Sequence, residues 1–189
     1  MTLIRFPYST LKDRQLSEIP LLDIVPTYTF VAGGCVRRAV CGMSQNSDVD
    51  WFFSSETGRD NAVTVLEQQH FKCVRESGRY TEYRRDNQRV QLIAFEYYES
   101  IEKLFDTFDF TICCFAYDRL TDEIVCTPEA LIDLSRRFLV PHRIKFPVAT
   151  MRRVGKYQQS GFKICRGGWQ SIAKSCKELD IDLITEYID

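Results

Sequence analysis

Apolar and polar positions along this chain cycle with two different periods, and the change of period marks out its elements. Thr27-Tyr28-Thr29-Phe30-Val31 is a short β-rich run closed by Ala32-Gly33-Gly34. Cys35 to Cys41 then fits a short helix stopped by Gly42. After the polar loop Ser44-Gln45-Asn46-Ser47, the run Asp48-Val49-Asp50-Trp51-Phe52-Phe53 alternates and ends in aromatic residues, as a buried strand does. Asp60 to His70 returns to near-helical spacing through Ala62, Val63, Val65 and Leu66. Tyr80–Arg84 and Arg89–Phe95 flank the polar pair Asp86-Asn87 and predict a hairpin. Phe110 to Tyr117 reads as a further core strand, and Glu129 to Leu134 as a short helix. From Val148 onward the pattern is helical, with Gly161, Gly167 and Gly168 as expected breaks. Trp169–Lys177 and Asp180–Ile188 read as two short closing helices. There is no internal repeat.

These elements predict a mixed α+β domain over residues 1–141 and a basic helical extension over 142–189. At 189 residues, 44% hydrophobic and 27% charged, the chain has an ordinary globular composition that excludes disorder and collagen-like structure. No stretch approaches the roughly 18 apolar residues of a membrane span. The first residues lack the apolar run of a signal peptide, so a cytoplasmic protein is expected. Eight cysteines include no CxxC pair and mostly sit in apolar runs, where a reduced thiol packs as a small hydrophobe. With only two histidines, a zinc site has few ligands to draw on. The net charge of −1 conceals an asymmetry, because residues 136–177 carry no Asp or Glu but eleven Lys or Arg. A stretch of one sign attracts polyanions, either a triphosphate or nucleic acid.

Candidate chemistry concentrates between Gly33 and Asp50. Glycines at a strand-to-helix turn let backbone approach a ligand closely. Residues two apart on a strand share a side, so Asp48 and Asp50 aim their carboxylates at one place. Two such carboxylates repel unless a divalent cation holds them, and Mg2+ completed by substrate phosphates is the expected partner. Such a site suits in-line phosphoryl or nucleotidyl displacement. Either feature alone is weak, but the two in this order and spacing are informative.

The same residues resemble the nucleotidyltransferase head domain of the tRNA CCA-adding enzyme and bacterial poly(A) polymerase family, within the DNA polymerase beta superfamily. That family's GGxVRDxxxG, loop and DxD are paralleled by Gly33-Gly34-Cys35-Val36-Arg37-Arg38, Gly42 and Asp48-Val49-Asp50. Its DFTINALAYD is paralleled by Asp109 to Asp118, and its head-to-neck junction more loosely by Pro128 to Phe162. The resemblance implies a polymerase beta-like mixed sheet and an Mg2+-dependent nucleotidyltransferase. In it Asp48 and Asp50 bind the metal, and Gly33 and Gly34 hold the triphosphate. Arg37, Arg38, Asp109 and Arg152 are the further nucleotide-binding candidates. The implied partners are an NTP and, through the 136–177 stretch, RNA or tRNA.

Some positions depart from the family's pattern. Arg38 stands where the family has Asp, Thr107-Phe108 where it has paired arginines, and Cys113 where it has Asn. The superfamily's third carboxylate aligns with Gln91, an amide with no charge and no basicity. No good counterpart of the family's base-selecting EDxxR element occurs around residues 147–153. The chain ends about 25 residues after the junction, which points to a minimal transferase. Transfer to an RNA 3′ end is the favoured expectation. A protein or small-molecule acceptor, or a non-catalytic nucleotide- or RNA-binding module, are the alternatives.

Overall fold

Runs rich in β-branched and aromatic residues recur along the first two thirds of the chain, and they assemble into one sheet. The computed structural model describes residues 1–45 and 48–178. Its strands are β1 (Ile4–Pro7), β2 (Thr29–Ala32), β3 (Val49–Phe53), β4 (Lys72–Glu76), β5 (Tyr80–Arg85), β6 (Gln88–Ile93), β7 (Phe115–Asp118) and β8 (Glu123–Cys126). The helices are α1 (Ser9–Asp13), α2 (Gly34–Val40), α3 (Glu56–Gln68), α4 (Ile101–Phe105), α5 (Pro128–Arg136), α6 (Pro147–Gln159) and α7 (Arg166–Lys177). The chain divides into two compact units. One is Met1–Leu104 with Phe115–Cys126, and the other is Phe105–Cys114 with the residues from Thr127 onward. The expected helix over Asp180–Ile188 lies outside the described residues.

The first unit carries the whole sheet, in the order β1-β8-β7-β2-β3-β6-β5-β4. Every neighbouring pair is antiparallel except β3 and β6, which run parallel. Alternation assigns the two faces. Val49, Trp51 and Phe53 of β3 and Val90 and Leu92 of β6 are buried on one face, where α2 and α3 lie against the strands. Asp50 and Gln91 therefore belong to the other face. Ser55 caps α3 by accepting from the Gly58 N–H at 3.2 Å. Gly33, at φ +81°, makes the turn from β2 into α2, and Gly42, at φ +64°, ends that helix.

The second unit is built from α5, α6 and α7 around Phe110, Ile112, Leu139, Val154, Phe162 and Ile172. Thr127 caps α5 with Pro128 in its first turn. Here two expectations are corrected. Residues 110–117 are not one strand: Thr111–Cys113 is a turn of 3-10 helix, and only Phe115–Asp118 pairs in the sheet. Thr111 donates its hydroxyl to Asp133 at 2.6 Å and its N–H to the Val140 carbonyl at 3.0 Å. The second of these bonds belongs to an isolated antiparallel bridge between Phe110 and Pro141, so the segment pairs there and not with the strands of the sheet. Gly167 and Gly168 do not break the last helix but open it, with the Gly168 N–H donating to the Cys165 thiol at 3.4 Å. A Cβ at Gly168 would meet Ile164 at 2.7 Å, so close packing selects the glycine. Gly161, at φ +84°, does terminate α6.

Candidate active site

The register places the acid pair. Asp50 is the Cα partner of Ala32 on β2 and of Gln91 on β6. Gln91 in turn faces Glu82 on β5, and Glu82 faces Arg75 on β4. Partnered residues on neighbouring strands project to the same side. One row of this face therefore reads Ala32, Asp50, Gln91, Glu82, Arg75. The next row carries Arg89, Arg84 and Lys72, which are likewise partners. Asp48 stands just before β3, two residues from Asp50, and joins that second row by an ion pair.

Both Asp48 oxygens face β6, Oδ1 across an ion pair and Oδ2 across a hydrogen bond. Arg89 Nε lies 2.8 Å from Oδ1, and Gln91 Nε2 donates to Oδ2 at 3.1 Å. The Asp48 and Arg89 side chains are 29% and 40% exposed. Glu82 is buried and paired with the exposed Arg84 guanidinium. The side chain at the third-carboxylate position is thus an amide that bonds Asp48. Glu96, another acid close in sequence, lies beyond the end of β6.

The glycine turn meets the acid strand at Cys35. Its thiol is buried and pushed up to about 12, first by burial and next by the neighbouring Asp50 carboxylate, with Arg38 acting in the opposite sense. Arg38 curls back over the start of α2, where a Cβ on Gly34 would meet its Nη1 at 3.3 Å. Arg37, one residue earlier, is buried. The structure therefore brings Gly33, Gly34, Arg38, Asp48 and Asp50 into one neighbourhood of the first unit, with Arg37 on the same short helix.

Asp109 and Arg152 belong to the second unit. Asp109 is buried and accepts from Arg153 Nη1 at 2.6 Å and from the Thr150 hydroxyl at 3.2 Å. Its carbonyl accepts from the His142 N–H at 2.8 Å. Asp109 thereby ties the start of α6 to the segment before the 3-10 turn. Arg152 is exposed on α6, and its neighbour Arg153 makes the contact with Asp109. All eleven basic residues between 136 and 177 are exposed.

Sequence patterning passed over Arg89 and Glu82. Both carry a signal in hindsight: Arg89 is two residues from Gln91 and so shares its face, and Glu82 sits opposite Gln91 across the hairpin. Arg153 had no such signal, since helical spacing does not distinguish it from Arg152.

Among the described residues no group of three or more His, Cys, Asp or Glu side chains is placed to hold a metal ion. Two carboxylates facing one side are nonetheless a donor set that suits Mg2+, which is commonly bound by one or two carboxylates and completed by water and phosphate oxygens. Among the described residues, no helix is long and apolar enough to cross a membrane.

The fold has counterparts of known structure. A CCA-adding enzyme in complex with ATP superposes with a TM-score of 0.72 at 16% identity, over 94% of this chain and 47% of that one. The same coverage and identity relate the chain to a CCA-adding enzyme with CTP, at a TM-score of 0.67. The Thermotoga maritima CCA-adding enzyme complexed with tRNA gives 0.65, again at 16% identity over 94% and 47%. At such identities the likeness is one of fold, and the expected α+β nucleotidyltransferase-like architecture is the one observed. The sequence relatives are different. "Gabija anti-defense 2" of Bacillus phage SPbetaL7 is 25% identical over 160 residues, covering 84% of this chain and 40% of that protein. The chain thus spans less than half the length of these relatives. Residues 9–137, more than half of the chain, match the family described as "Gabija anti-defense 2 family protein". With a fold like that of CCA-adding enzymes, the chain belongs by sequence to the Gabija anti-defense 2 family.

Proposed function

We propose that this chain is an Mg2+-dependent nucleotidyltransferase that moves a nucleoside monophosphate from an NTP to an acceptor hydroxyl, and that this transfer serves an anti-defense role against Gabija. The observation that carries the proposal is the placement of the half-buried Asp48 and Asp50 on one sheet face beside the Gly33-Gly34 turn. The nucleotidyltransferase-like fold supports the reaction class, and the family supports the biological setting.

Asp48 and Asp50 would hold the Mg2+, which when bound draws charge from phosphate oxygens and so favours displacement at phosphorus. At Gly33 a Cβ would meet nothing within 4 Å, so the turn has room for a triphosphate there, while Arg38, curled over Gly34, and Arg37 supply positive charge near it. The acceptor oxygen forms a bond to the α-phosphorus as the bond to the bridging oxygen breaks. Pyrophosphate leaves with that electron pair, and the acceptor proton passes to solvent. An RNA 3′ end is the favoured acceptor, supported by the exposed basic residues between 136 and 177. A protein acceptor within the defence system is the second reading, and the family match is what favours it.

The test is incubation of the purified protein with Mg2+, each α-labelled NTP, total RNA and an extract of Gabija-bearing cells, beside an Asp48→Asn/Asp50→Asn control. Label entering a macromolecule with the unaltered protein alone is expected, and its sensitivity to RNase or protease names the acceptor class. Equal labelling by the double variant would refute the proposal. RNA as acceptor further requires binding that weakens steeply between about 50 and 200 mM salt.

A further inference from the structure

Asp48 is not simply half of an acid pair. Its carboxylate is held from β6 by a cation, Arg89 Nε at 2.8 Å, and by a neutral donor, Gln91 Nε2 at 3.1 Å. Arg89 is also the first of three basic residues set directly opposite one another, Arg89, Arg84 and Lys72. Like charges in such a row repel. Arg84 is offset by the buried Glu82, and Arg89 by Asp48. The Arg89 side chain is 40% exposed, so its burial explains little of its placement.

Arg89 thus occupies the carboxylate that a divalent ion would need. A guanidinium and a divalent ion at the same carboxylate oxygen repel one another and so compete for it. Once moved off Asp48, the Arg89 guanidinium is repelled from the Arg84 and Lys72 side of the face. It then requires another anion, and its planar fork of donors fits phosphate oxygens.

We propose that Arg89 is a resident cation of this site, competing with a divalent ion for Asp48 and, when displaced, binding the phosphates of the nucleotide. The inference rests on the nucleotidyltransferase reading of the same site and adds a substrate-binding residue to it. It also accounts for an amide at position 91. A third carboxylate there would hold Arg89 in place, whereas Gln91 leaves Asp48 as the partner from which it is exchanged.

The experiment measures Mn2+ binding to the full chain by electron paramagnetic resonance, and then binding of a non-hydrolysable ATP analogue at saturating Mn2+. Arg89→Ala should bind Mn2+ about three- to fivefold more tightly, the gain expected from removing a partly exposed ion pair. The same variant should bind the analogue about tenfold more weakly, the loss expected from a charge-assisted hydrogen bond. Arg89→Lys keeps the charge and should stay near the unaltered protein in Mn2+ affinity, which provides a second reading if Arg89→Ala melts early. Opposite signs for metal and nucleotide are the signature, because a merely structural arginine would weaken both. Unchanged or weakened Mn2+ binding in Arg89→Ala overturns the proposal, as does unchanged analogue binding. If Mn2+ binding is the same in Asp48→Asn/Asp50→Asn as in the unaltered protein, the metal-site reading falls too. If binding needs the carboxylates but ignores Arg89, only the present proposal falls.

Discussion

Gln91→Glu is the substitution that most directly probes the geometry of the acid pair. It replaces the amide that donates to Asp48 at 3.1 Å with a third carboxylate on the same face, partnered across strands with Asp50. The lost hydrogen bond costs about 1 kcal/mol. Two unit charges about 4 Å apart repel by about 1 kcal/mol in water and by about 4 kcal/mol at a surface-like dielectric. Asp48 is 29% exposed and Arg89 adjoins it, so the lower part of that range applies. The variant should therefore be less stable by about 2–3 kcal/mol in EDTA. In Mg2+ most of the deficit should vanish, because a divalent cation converts the repulsion into coordination. Urea denaturation of both proteins in EDTA and in Mg2+ reads this directly. Equal stability of the two proteins in EDTA would refute the reasoning. So would a deficit of the same size with and without Mg2+, since position 91 would then not share a binding point with Asp48 and Asp50.

Two further outcomes follow from buried groups elsewhere. Asp109→Ala removes the acceptor of the Arg153 guanidinium and one of two acceptors of the Thr150 hydroxyl, the other being the Phe146 carbonyl at 3.0 Å. Because Arg153 is 52% exposed and water replaces part of the loss, the cost should be about 2 kcal/mol, measured by chemical denaturation, with Asp109→Asn at about half of that. Cys35, pushed up to about 12, should remain a neutral thiol and resist iodoacetamide at pH 8, while the exposed Cys41, Cys73 and Cys165 are alkylated. Peptide mass spectrometry checks this, and labelling of Cys35 as fast as Cys41 would contradict it. The folded state of this thiol prefers the protonated form, so its contribution to stability is complete below the ordinary thiol value of 9.0. That contribution is lost as pH rises from there toward about 12, and Cys126, pushed up to about 11 by burial, acts with the same sign. The urea midpoint should accordingly fall between about pH 9 and pH 11.

Much of the candidate site was legible along the chain because it is local. Gly33 to Asp50 is a turn, a short helix, a loop and a strand start in continuous order, and each step is governed by the residues themselves. Glycine at φ +81° opens the helix, glycine at φ +64° closes it, and strand alternation puts Asp48 and Asp50 on one side. The hairpin of β5 and β6 was legible for the same reason, since Asp86-Asn87 marks its turn. The 3-10 turn at Thr111–Cys113 was not, because the groups that capture it, Asp133 and the Val140 carbonyl, are distant in sequence. An apolar run between distant partners has no local means of choosing between ladder and turn.

The sequence by itself therefore determined the fold class, the glycine turn and the acid pair, all products of short-range periodicity and backbone sterics. Only the tertiary structure decided what surrounds that pair. The parallel pairing of β3 with β6 spans about 40 residues and leaves no periodic trace, yet it brings Arg89 and Gln91 to the two oxygens of Asp48. It likewise decided that Arg153 rather than Arg152 meets Asp109, because the helical phase of α6 against its neighbours is set by packing and not by composition. Local sequence chooses which groups a strand or helix presents. Long-range register chooses which charges must face one another.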